Sequence, residues 1–111
     1  MLDIYNEKGV AIARFKNISR FNSVVSQYVK DELNAIMKQH GAKLIISFEE
    51  IRFIDSSAFG TLISVLKMAK ENKGTLRLCN MSMEVMELME VMQLHTVFDI
   101  YGTVDDALSG I

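Results

Sequence analysis

Three side chains able to do chemistry stand in a row at Asp55, Ser56 and Ser57, within the run FIDSSAFG. An apolar stretch closes just before them and an apolar helical pattern opens just after, so they fall at a strand-to-helix turn. In layered α/β folds, ligands and partners are met at the carboxyl ends of strands and the amino ends of the helices that follow. The plainest role for such residues is to cap the helix, since an Asp or Ser oxygen accepting a first-turn N–H is worth about 1 kcal/mol against Ala. One cap uses one side chain, so two polar groups are left over. A spare serine here suits a phosphate, because exposed N–H groups and the positive end of the helix dipole both favour an anion. A phosphoserine carries a charge of about −1.5 to −2, and the dipole favours it by at most about 2 kcal/mol. The same charge set against an apolar or acidic partner surface is costly. Modification at this turn therefore predicts a switch in binding on an undisturbed fold.

An enzyme would need a base beside Ser56 or Ser57. The two histidines, His40 and His95, both fall near expected helix ends, and neither belongs to a catalytic triad or a G-x-S-x-G elbow. One cysteine and two well-separated histidines offer no metal-ligand spacing. There is also no G-x-x-x-x-G-K-S/T phosphate loop. No catalytic residue, metal or other cofactor is expected.

The elements that must position the triplet follow from the hydrophobic pattern. At 111 residues, 50% of them hydrophobic and 23% charged, the chain suits one folded domain spanning 1–111. A net charge of −2 gives no electrostatic case for nucleic acid or an anionic membrane. No run approaches the ~18 apolar residues of a membrane span, and MLDIYNEKG lacks the apolar core of a signal peptide. The lone Cys79, in the strand-like TLRLCN, reads as a buried thiol in a reducing compartment. A cytoplasmic location is expected.

LDIYNEKGVAIARF reads as a hairpin turning at Glu7, Lys8 and Gly9. From Asn22 to His40, Val25, Val29, Leu33 and Ile36 recur at helical spacing, with Asn22 or Ser23 able to cap the start and Gly41 the end. KLIISF reads as a strand covered on both faces. A helix from about Ser57 to Asn72 turns Phe59, Leu62, Ile63, Val65, Leu66 and Ala69 inward, with Gly74 in the left-handed position after it. TLRLCN is a strand, MSMEVMELMEVMQL a helix, VFDIY a strand, and TVDDALSG a short helix capped by Thr103. The predicted order is β-β-α-β-α-β-α-β-α, an α/β fold with a mixed, mostly parallel sheet and about four helices.

In the Met-rich helix, Met81, Val85, Leu88, Met89 and Met92 share one stripe, as a core face does. Met83 and Met86 fall outside it. Loose core packing is the plainer reading; an adaptable binding patch, extended by Phe59 and Met68, is the alternative. Such a patch leaves weak self-association open. Glu84, Glu87 and Glu90 form an acidic ridge, either a solvated face or a steering surface for a basic partner.

The stretch IRFIDSSAFGTLISVLKMAKENKGTLRLCNM resembles the core of the STAS domain, found in anti-sigma factor antagonists and in the cytoplasmic part of sulfate transporters. The likeness runs along the chain through the N-terminal hairpin, KLIISF and the closing VFDIYGTVDDAL. The resemblance implies a STAS-like domain acting by partner switching. The unmodified antagonist binds an anti-sigma factor that is itself a serine kinase; phosphorylated, it lets go, and a serine phosphatase restores it. On this likeness Ser56 matches the phosphorylated serine and Asp55 the adjoining carboxylate, while Ser57 stands where Ser or Thr is common. Gly60 lies on the turn beneath. Ala58 replaces a usual Gly, adding a methyl beside the docking surface, and Asn22 stands where an acidic residue is common. The partner-binding surface is thus expected at Asn22, Ser23, Asp55, Ser56, Ser57, Ala58, Phe59, Gly60, Met83 and Met86. A different class of function is an unphosphorylated STAS adaptor in a larger signalling or lipid-transport assembly. A serine hydrolase is disfavoured by the missing base.

Overall fold

A computed structural model describes all residues 1–111. The chain opens with strands β1 (Leu2–Glu7) and β2 (Val10–Phe15), paired antiparallel with Glu7 opposite Val10. The two residues between them, Lys8 and Gly9, have φ of 54° and 82°. A two-residue loop with both φ values positive matches the natural strand twist, which is why Gly follows Lys there. Next come β3 (Arg20–Phe21), α1 (Ser23–Met37), β4 (Lys43–Ser47) and β5 (Phe53–Ile54). The chain then runs through α2 (Ser56–Glu71), β6 (Thr75–Cys79), α3 (Met83–Val91), a 3-10 turn at Leu94–Thr96, β7 (Asp99–Tyr101) and α4 (Val104–Leu108).

Five strands form one sheet in the order β1-β2-β4-β6-β7, antiparallel only between β1 and β2. Each parallel neighbour is reached through a helical crossover, as the alternating pattern predicts. The fold is thus the α/β arrangement expected, with its four helices. Two short strands were not anticipated: β3 and β5 pair parallel in a separate two-stranded sheet, with Arg20 opposite Phe53 and Phe21 opposite Ile54.

The sheet is covered on both faces, so alternate residues of one strand enter different cores. Leu44 and Ile46 join the large core under α1, α2 and α3, while Ile45 joins Val10, Ile12, Cys79 and Ala107 beneath α4. On the large side α1 buries Val25, Val29, Leu33 and Met37, one residue per turn. Phe15, Phe21 and Phe48 cluster with ring centroids 5.1–6.5 Å apart, fixing the small sheet to the end of the large one. Such pairs add about 0.5–1.5 kcal/mol each beyond area burial.

Several details differ from the sequence expectations. Helix α1 stops at Met37, short of His40, and Gly41 (φ 73°) lies in the loop, where its N–H donates to the Asn72 carbonyl at 2.7 Å. Helix α3 stops at Val91 because Gln93 is left-handed (φ 58°), so Met92 drops off the stripe and is 53% exposed. Ile63 is exposed, one residue round from Leu62 on α2. After α2 the left-handed residue is Lys73 (φ 56°), not Gly74. Gly74 N–H closes the motif on the Ala69 carbonyl at 2.7 Å. Glycine is needed there for space: a Cβ would meet the Ala42 carbonyl oxygen at 2.6 Å and Met37 Cε at 2.8 Å.

Candidate functional site

The β3–β5 pair sets two helix starts side by side. Phe21 and Ile54 point into the core at the ends of these strands, so the residues that follow, Asn22 and Asp55, turn the other way and reach the first turns of α1 and α2. Asn22 Oδ1 accepts the Val24 N–H at 3.1 Å, closing α1. The Asp55 carboxylate does more. Its Oδ1 accepts the Ala58 N–H at 3.2 Å, capping α2, and its Oδ2 accepts the Ser23 N–H of α1, also at 3.2 Å. One carboxylate therefore serves two positive helix ends and ties them together. Below it the seam is polar: the Ser26 hydroxyl donates to the Asn22 carbonyl at 2.7 Å, and the Thr61 hydroxyl to the Ser26 carbonyl at 3.3 Å.

With Asp55 acting as the cap, neither serine hydroxyl is needed for it. Ser56, at the first position of α2, is exposed, and its hydroxyl makes no hydrogen bond within the chain. Ser57 is half-buried and lines a groove of ≈ 390 Å³ between α1 and α2, together with Ser23, Ser26, Gln27, Lys30 and Thr61. Gly60 forms part of its wall, and a Cβ there would meet nothing within 4 Å. The groove is open because this glycine lacks a side chain, although helical geometry does not require glycine at this point. The three consecutive residues thus face three ways: a bridging cap, an outward hydroxyl and a hydroxyl in a groove.

Two residues expected at a docking surface are not on one. Ala58 is 0% exposed, so its methyl lies in the core. Phe59 is 7% exposed and belongs to the same core cluster as Ile54. It sits four residues after the cap and Ile54 just before it, the positions of a hydrophobic staple that fixes the entry angle of the helix. Neither side chain can meet a partner without unfolding the turn. Of the methionines, Met83 is 75% exposed at the start of α3, whereas Met86 and Met68 are half-buried. Asn22 is half-buried and Ser23 exposed, both within the double cap.

His40 lies beyond the far end of α1, roughly 22 Å of helix from Ser23, and His95 sits in the 3-10 turn. No three His, Cys, Asp or Glu side chains converge. Burial pushes the Cys79 thiol up to about 11, well away from a reactive thiolate. No helix is long and apolar enough to cross a membrane.

The sequence reading missed Arg20 and Phe53, which flank the turn. Phe53 is 43% exposed, and the Arg20 guanidinium lies over its ring, 5.3 Å from the centroid. Two-residue strands are too short to show a period, and the repeated Arg-Phe of SRFN and IRFID is offset by one residue from the actual pairing, which sets Arg20 opposite Phe53.

The STAS domain family model matches residues 4–107. The anti-sigma-B factor antagonist of Bacillus subtilis (strain 168) is 30% identical over 84 residues, covering 76% of this chain and 77% of that protein. Among solved structures, a STAS domain protein from Planctomyces limnophilus superposes with a TM-score of 0.89 at 24% identity, over 96% of this chain and 94% of the other. The Bacillus cell fate determinant SpoIIAA in its phosphorylated form superposes with a TM-score of 0.70 at 14% identity, over 97% and 96%. The chain belongs to the STAS domain family and, within it, to the anti-sigma factor antagonist type.

Proposed function

We propose that this protein is an anti-sigma factor antagonist that works in the cytoplasm by partner switching, with Ser56 as its phosphorylated residue. Unmodified, it docks on an anti-sigma factor that is a serine kinase, through Ser56, Asp55, Ser57 and Gly60 with Asn22, Ser23, Met83 and Met86 around them. The kinase transfers a phosphoryl group from ATP: the Ser56 Oγ–P bond forms as the bond to ADP breaks, and the hydroxyl proton passes to a base of the kinase. A serine phosphatase later hydrolyses the ester, returning the hydroxyl and inorganic phosphate. The protein is then a substrate and a switch, not an enzyme.

The observation that carries this reading is the exposed, unbonded Ser56 hydroxyl beside a cap that Asp55 already completes. A phosphate at the first helical position is favoured by the dipole, by about 0.3–1 kcal/mol at an exposed site. The same charge set against a like-charged partner surface costs several kcal/mol. The larger effect is the interfacial one, so release can occur without unfolding.

The test is retention of the kinase partner from lysate of the native organism. Ser56→Ala is expected to hold it as wild type does, and Ser56→Asp to hold it weakly. Equal retention by both variants would refute the switch. Absence of phosphate on Ser56 in cellular phosphopeptide mass spectrometry would favour the unmodified adaptor instead.

A further inference from the structure

We infer that Arg20 is the residue that receives the phosphate once Ser56 is modified, so that phosphorylation both adds charge and draws an arginine off the exposed Phe53 ring beside the docking surface. This deepens the function proposed above and rests on its assignment of Ser56.

Arg20 and Phe53 face each other across the small parallel sheet, and each is exposed. Side chains alternate along a strand, so Arg20, Phe53, Asn22 and Asp55 lie on the side away from the core, while Phe21 and Ile54 enter it. Ser56 follows Asp55 directly, three residues and at most about 10 Å of chain from Phe53. Arg20 stands one strand spacing, about 4.8 Å, across from Phe53, and its guanidinium already leans over that ring, so the arginine and a phosphoserine approach each other from the two ends of this short path. The guanidinium is available: the chain's single ion pair joins Arg14 to Glu49, and the Arg20 side chain makes no hydrogen bond, resting only on the Phe53 ring. Arg52, the adjacent cation in sequence, is engaged, its Nη1 donating to the Glu49 carbonyl at 3.2 Å.

A phosphate on Ser56 would bring about two negative charges beside the Asp55 carboxylate, which both helix starts already hold in place. That crowding favours a cation at hand, and guanidinium matches phosphate through two parallel N–H···O bonds. In the unmodified protein the Arg20–Phe53 pair is presented to solvent, and Arg and aromatic residues are the types that anchor protein interfaces. Transfer of the guanidinium from ring to phosphate removes half of that pair.

The test uses full-length protein carrying phosphoserine at position 56, installed during translation so that no kinase is required. The second phosphate ionisation is followed by phosphorus NMR at low salt. A paired cation holds that pKa down, so Arg20→Gln is expected to raise it by about half a unit or more, and Arg20→Lys by less. Arg52→Gln is expected to leave it in place. No change in Arg20→Gln would overturn the inference, as would equal shifts from Arg20 and Arg52, which would indicate a diffuse field. Because the phosphate is installed, this readout stands apart from whether cells phosphorylate Ser56, which the phosphopeptide measurement decides for the function itself.

Discussion

Replacing Asp55 separates a double cap from a single one. Asp55→Ala removes the acceptor of the Ala58 N–H and of the Ser23 N–H, both 3.2 Å away. A helix cap is worth about 1 kcal/mol, and a carboxylate near a helix N-terminus adds about 0.3–1 kcal/mol per end at exposed sites. Both bonds are at the long end of the usual range. The Ala58 N–H also keeps the Asp55 backbone carbonyl at 3.1 Å. The expected loss is therefore about 2 kcal/mol, near 10 °C in Tm for a domain of this size. Asp55→Asn keeps one acceptor oxygen and loses the charge and the second bond, for about 1 kcal/mol. Ser23→Pro gives an independent handle, because proline suits the first helical position and merely deletes the N–H. It should cost about 1 kcal/mol in the wild type and almost nothing in Asp55→Ala, a coupling read from the double-mutant cycle. The assay is urea unfolding followed by circular dichroism, with the m-value unchanged. An Asp55→Ala loss no greater than that of Asn22→Ala, or additive behaviour with Ser23→Pro, would refute the bridge between helices.

Other outcomes follow from the same geometry. Gly60→Ala puts a methyl into open space and should stabilise the fold by about 0.5–1 kcal/mol; if partners enter the α1–α2 groove it will weaken their binding, a divergence that melting and pull-down together detect. Gly74→Ala drives a Cβ against the Ala42 carbonyl and should destabilise markedly, seen as a lower urea midpoint. Phe59→Ala should cost about 3–5 kcal/mol as a core deletion, whereas the exposed Met83→Ala should stay within about 0.5 kcal/mol, both read by urea unfolding. The Cys79 thiol, raised by burial from 9.0 to about 11, contributes stability that is fully present below pH 9 and is lost as pH climbs toward 11. Cys79→Ser should flatten that part of the pH–stability curve, and native Cys79 should resist thiol reagents until the protein unfolds.

Much of the architecture was readable from residue order alone. Helical and strand periods extend over five or more residues in α1, β4, α2 and β6, enough for one face to declare itself. Capping residues are chemically distinctive, so Thr103, Asn22 and the Asp55 turn are legible as helix starts in the sequence itself. The presence of a spare serine was likewise legible, because three polar groups exceed what one helix start can use. Tertiary structure alone decided where each group points. Ala58 and Phe59 stand next to Ser56 in sequence, yet helical rotation of 100° per residue carries them into the core and leaves Ser56 outside. Asp55 became a bridge only because a two-residue strand, too short for any period, pairs Phe21 with Ile54 and brings a helix start 32 residues away within 3.2 Å. Sequence fixes what is near along the chain, while a carboxylate holding two helices depends on contacts that only folding creates.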